Sequence, residues 1–128
     1  MANSIAMEHV GIRAQGADFQ KVLAFYEQAF GFKAFREMPT PFHLAFIANE
    51  HGDIIEVLDL DGPPLQGPSH LSFAVPLAEL KPLREQIVAL GVTLDEPLNM
   101  PTGDIIYYFN DPAGNRAQII GRAAPFGP

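Results

Sequence analysis

Four polar side chains occupy places where strands are expected to be apolar: His9, Glu56, His70 and Gln118. His9 and His70 stand 61 residues apart, and Glu56 and Gln118 stand 62 apart. Two imidazoles, one carboxylate and one amide oxygen form a nitrogen/oxygen donor set suited to zinc, nickel, manganese, iron(II) or cobalt. Singly, each residue has a plainer reading. A strand histidine is more often hydrogen-bonded or at the surface, Glu56 fits an exposed strand carboxylate, and Gln118 fits a surface amide. The shared offset favours the metal reading, because unrelated surface residues have no reason to recur in register. Alternation along a strand also puts small residues on each histidine's own face, Gly11 beside His9 and Ser72 with Ala74 beside His70. Donors with room next to them are what a lined cavity needs.

The elements that must position these residues repeat with them. Gly31 falls on Gly91 and Gly52 on Gly114, again 60 to 62 residues apart. The first copy reads as a strand over 5–13 and then a helix over 18–30. Asp18 is the expected cap of that helix, Phe19, Val22, Leu23, Tyr26 and Phe30 form its stripe, and Gly31 ends it. Strands over 32–37, 42–48 and 53–58 follow, the last two joined by a turn at 49–52. Residues 61–69, DGPPLQGPS, carry three prolines and two glycines and read as a linker. The second copy has a strand over 70–75, then a helical stripe of Leu80, Leu83, Ile87 and Leu90 with Pro82 in its first turn. It continues with a short strand over 92–94 and a hairpin of 104–109 with 116–121. The expected fold is α+β: two βαβββ modules in tandem, about 5–60 and 70–121, in one domain over 1–128. Their curled mixed sheet would surround a cavity.

Composition narrows the function. At 48% apolar residues the chain can bury a core, and a net charge of −7 disfavours nucleic acid and anionic membranes as partners. With no cysteine there is no disulfide, thiol nucleophile or thiolate metal site. The N-terminal stretch lacks the pattern of a signal peptide, so a cytoplasmic protein is expected.

The chain resembles the vicinal oxygen chelate superfamily, the group of glyoxalase I, bleomycin resistance proteins and extradiol dioxygenases. The resemblance rests on EHVGI at 8–12, FYEQAFGF at 25–32, IEV at 55–57, SHLSF at 69–73 and DPAGN at 111–115. It implies paired modules enclosing a divalent metal ion, with His9, Glu56 and His70 at ligand positions. Most metal-binding members have glutamate where this chain has Gln118, although some use glutamine as a ligand. With Glu56 as the sole carboxylate, a divalent site would carry a formal charge of about +1 rather than 0, which makes the ion a stronger Lewis acid. Glu56 would then combine ligation with proton transfer, or the base would come from elsewhere. Arg13, four residues past His9, matches the arginine by which glyoxalase I holds a glutathione carboxylate, a task suited to a planar guanidinium. The position four past Glu56 is Leu60, where the usual partner asparagine is missing.

The resemblance thus implies a metal-dependent lyase or isomerase acting on a small oxygenated substrate through a stabilised enolate or oxyanion. The alternatives are an extradiol-type dioxygenase, disfavoured because its carboxylate belongs where Gln118 stands, and a metal-free drug-binding protein. A homodimer is expected, since open sheets leave strand edges to cover.

Overall fold

The computed structural model describes residues 4–128. The chain divides into two compact units, the first ending at Asp61 and the second starting at Gly62, so the boundary falls at the proline-rich stretch.

The first unit comprises β1 (Val10–Arg13), α1 (Ala17–Phe30), β2 (Lys33–Met38), β3 (Leu44–Ala48) and β4 (Ile54–Leu58). Its sheet runs β1-β4-β3-β2, with β1 parallel to β4 and the other pairs antiparallel. Helix α1 buries Phe19, Val22, Phe25, Tyr26 and Ala29, and the sheet buries Ile12, Ala45, Ile47 and Val57. Burial of each large apolar side chain is worth about 1.5–3 kcal/mol. Gly31, at φ 73°, takes the left-handed conformation that ends α1, and its N–H returns to Glu27 O and Tyr26 O.

Asp18 does not cap α1. Gly16 holds the N-cap position, its N–H donating to Asp59 Oδ1 at 2.8 Å, and Asp18 lies in the first turn, where its charge complements the helix dipole. Strand β1 is also shorter than the expected 5–13. Its ladder begins with Val10 opposite Ile55, so preceding residues have no strand to pair with.

The second unit comprises β5 (Leu71–Pro76), a 3₁₀ turn (Leu77–Glu79), α2 (Leu80–Ala89), β6 (Leu98–Asn99), β7 (Ile105–Asn110) and β8 (Arg116–Arg122). Its sheet repeats the arrangement as β5-β8-β7-β6, with β5 parallel to β8. Leu80 and Ile87 of α2 are buried, as are Phe109, Ala117 and Ile119 in the sheet. Pro82 sits in the first turn of α2, where its missing N–H costs nothing. Residues 92–94 do not form a strand. Leu94 makes one bridge to Phe109, Asp95 N–H donates to Tyr108 O, and regular pairing waits until Leu98, beyond Pro97, which has no N–H to give.

Two four-stranded mixed sheets with two helices give the expected α+β fold, and each sheet is open rather than closed on itself. Among the described residues, no helix is long and apolar enough to cross a membrane.

Candidate metal-binding site

His9 immediately precedes β1 and Glu56 lies at the centre of β4, opposite Gly11. The parallel register brings the imidazole to the carboxylate, with His9 Nε2 at 3.5 Å from Glu56 Oε1. His9 Nδ1 is 3.0 Å from Glu8 Oε1. A carboxylate can only accept, so Nδ1 carries a hydrogen, and the ring turns its Nε2 edge to Glu56. The Phe46 ring meets His9 edge-on at 5.4 Å. The Glu56 side chain is only 18% exposed and has no hydrogen-bond donor among the described residues. An imidazole nitrogen and a carboxylate facing each other in a partly desolvated place require either a proton on Nε2 or a cation held by both. Gly11 keeps the space open: a Cβ there would stand 3.6 Å from Glu56 Oε1 and 3.3 Å from Leu58 Cδ1.

The second unit builds the corresponding pair. His70 immediately precedes β5, and Gln118 is the third residue of β8, opposite Ser72. His70 Nδ1 donates to the Pro68 carbonyl at 2.8 Å, so the neutral ring keeps its Nε2 lone pair for another partner. The Tyr108 ring meets His70 edge-on at 5.3 Å, matching the place of Phe46 in the first unit. Gln118 is 5% exposed, and its Oε1 accepts the Ser72 hydroxyl at 2.8 Å. Arg116 stacks over Tyr108 at 4.9 Å and is tied to Asp95 at 2.6 Å.

The structure therefore brings His9 to Glu56 and places His70 and Gln118 at the matching strand positions of the second unit. Among the described residues, no group of three or more histidines and carboxylates is gathered as a metal cluster. Arg13 donates to the Asp61 carbonyl at 2.7 Å. His51 is exposed in its turn. Tyr107 accepts a hydrogen bond from Arg84 at 2.9 Å, so of the adjacent tyrosines it is Tyr108 that meets a histidine. Glu8 and Phe46 escaped the sequence reading as parts of this arrangement, and Ser72 entered it only as a small residue beside His70. The 62-residue offset, applied to β3 and β7, would have paired Phe46 with Tyr108.

His43 has a different role. His43 Nε2 is 2.6 Å from Glu37 Oε1, and Nδ1 is 3.4 Å from Asp59 Oδ2. The Glu37 hydrogen bond, helped by Asp59 and by both charges, holds His43 above its ordinary value despite the opposing effect of burial. Its ring packs against Phe19 at 4.1 Å. His43 thus links β2 to the end of β4, and Asp59 in turn anchors the start of α1.

A family model described as the Glyoxalase/Bleomycin resistance protein/Dioxygenase superfamily matches residues 6–119. The chain belongs to this superfamily. Its fold is similar to that of the fosfomycin resistance protein FosX from Listeria monocytogenes, solved with Mn(II) and 1S,2S-dihydroxypropylphosphonic acid. That match has a TM-score of 0.79 and 19% identity over 92% of this chain and 90% of that one. FosX from Mesorhizobium loti matches with a TM-score of 0.73 and 12% identity over 94% and 93%. Lactoylglutathione lyase from Agrobacterium tumefaciens matches with a TM-score of 0.66 and 21% identity over 91% and 92%. No curated protein sequence matches the chain. Superfamily membership accounts for the repeat of a four-stranded sheet with one helix, and the structural likenesses establish the shared fold.

Proposed function

We propose that this superfamily member is a divalent-metal-dependent enzyme of the glyoxalase-like type, a lyase or isomerase acting on a small oxygenated substrate. The observation that carries this reading is the His9–Glu56 pair: a largely covered carboxylate 3.5 Å from an imidazole nitrogen whose ring partner is already tied. In this reading His9, Glu56, His70 and Gln118 hold the ion. The donors fit it, since both histidines have Nδ1 engaged by an acceptor and Nε2 available. FosX with bound Mn(II) shares the fold.

A divalent ion there supplies Lewis acidity toward adjacent oxygens of the substrate. The remaining work falls to the chain's own groups. Glu56, with its second oxygen outside the His9 contact, takes and returns the proton. Glu8 and the Pro68 carbonyl keep the two imidazoles in the tautomer the site needs. Ser72 occupies one lone pair of the Gln118 oxygen and so fixes the direction of the other. Arg13 anchors an acidic part of the substrate through its planar fork. The reading includes a homodimer, whose second copy would cover open sheet edges.

The test is elemental analysis of the purified protein, then chelator stripping and activity with each restored metal. Wild type is expected to retain a divalent ion that Glu56→Gln and His9→Ala lose. A protein that takes up no divalent metal at neutral pH would remove the reading, and sedimentation showing only a 14.0 kDa species would remove the dimer.

A further inference from the structure

The sheet face that carries Gln118 continues beyond it. Along β8 the same face presents Ile120 and Arg122, and along β5 it presents Ser72, Ala74 and Pro76, paired in that order with Gln118, Ile120 and Arg122. The opposite face is closed by helix contacts: a Cβ on Gly121 would stand 2.9 Å from Leu80. On the open face, the C-terminal residues 123–126 and the two strands line a cavity of about 640 Å³. That volume lies in the range of small-molecule pockets, about 300–1,000 Å³. Its walls are Ala74, Val75, Ile120, Ala124 and Pro125, and Ser72 joins it to Gln118.

One cation stands among these apolar walls. Arg122 Nη1 donates to Asp104 Oδ2 at 3.2 Å, and its Nε is buried with no acceptor. Asp104 also takes the Thr102 hydroxyl and the Ala123 N–H, so its oxygens are shared among three donors, and the Nε edge of Arg122 is not one of them. The unused Nε edge of a guanidinium is one that a carboxylate grips side-on. The ring of Phe126 covers the guanidinium at 3.7 Å yet is itself 79% exposed, so swinging it away sacrifices little burial. In a chain of net charge −7, an anion needs such a local cation to enter.

We infer that this cavity binds the apolar body of a small carboxylate whose charged end is read by the Nε edge of Arg122. Phe126 is the cover that the carboxylate displaces. The inference rests on the proposed function only in assigning this ligand as part of the substrate; the binding itself needs no metal.

Hexanoate is the probe, titrated by NMR into the metal-free full chain and into the Zn(II)-loaded chain. Amide shifts at Ala74, Ile120 and Ala124 are expected, with hexanol binding about tenfold more weakly than hexanoate. Arg122→Lys keeps a charge for Asp104 but loses the planar fork, and should weaken hexanoate by about tenfold or more. Phe126→Ala should bind hexanoate at least as well as wild type. Equal affinity for hexanoate and hexanol in the unaltered chain, or shifts confined to other residues, overturns the inference without reliance on any variant. Hexanoate bound by a chain that takes no metal leaves this inference standing while the proposed function falls. A chain that holds zinc but ignores hexanoate gives the reverse.

Discussion

The Ser72 hydroxyl donates to Gln118 Oε1 at 2.8 Å, whereas the equivalent strand neighbour of Glu56 is Gly11, which offers no side chain. The two units therefore treat their central polar residue differently. The neutral amide is oriented by a hydroxyl, and the carboxylate faces the His9 ring instead. In the proposed site Glu56 would supply the charge and Gln118 a dipole of fixed direction.

Replacing Gln118 by Glu should tighten zinc or nickel binding about tenfold or more, because a carboxylate is a stronger donor and lowers the formal charge of the site. The Ser72 hydroxyl should then bond the new carboxylate. Calorimetric titration of wild type and variant decides the matter, and equal affinities would remove Gln118 from the ligand set. Ser72→Ala should weaken binding modestly, by the worth of one hydrogen bond, about 1 kcal/mol.

Removing the carboxylate at position 56 should separate chemistry from folding. Glu56→Gln keeps the shape of a strand residue that has no hydrogen bond to lose, so the melting temperature should hold or rise. Metal affinity and activity should both collapse. A variant that binds metal as wild type does would show that His9 and Glu56 share a proton instead.

The stability contributed by His43 should depend on pH with a definite sign. Its folded value is raised above the ordinary 6.5 by Glu37 and Asp59. The contribution is therefore complete below 6.5 and is lost as pH rises through the raised folded value. Denaturant midpoints of wild type should fall across that window relative to His43→Asn, and parallel pH profiles would show that the cluster is energetically silent. Since Asp59 also receives the Gly16 N–H, hydrogen exchange at the start of α1 should rise over the same window.

Gly121→Ala tests how closely the second helix approaches its sheet. The added Cβ would stand 2.9 Å from Leu80 Cδ2 and 3.1 Å from Leu80 Cβ, so the turn before α2 must shift. A cost of about 1–3 kcal/mol is expected for such overpacking, read from chemical denaturation. An unchanged midpoint would mean that Leu77 and Leu80 rotate aside freely.

Much of this was written locally in the chain. The glycines at 31 and 91, the proline-rich stretch after Asp61 and the apolar stripes mark where elements begin and end, because such signals act through a few neighbouring dihedrals. The 61- and 62-residue offsets likewise identify His9, Glu56, His70 and Gln118 as corresponding residues. What the sequence could not state was each residue's company. Asp18 looked like a cap, but Gly16 holds that position with its N–H on Asp59, 43 residues further on, and residues 92–94 had the composition of a strand but no ladder to join. Arg122 was unremarked for the same reason: its meaning comes from Asp104, Phe126 and the walls of a cavity. Hydrogen bonds and desolvation depend on distances of a few ångströms between groups far apart in the chain. Only folding sets those distances, and they decide which of several chemically suitable residues has a partner and which is left to find one.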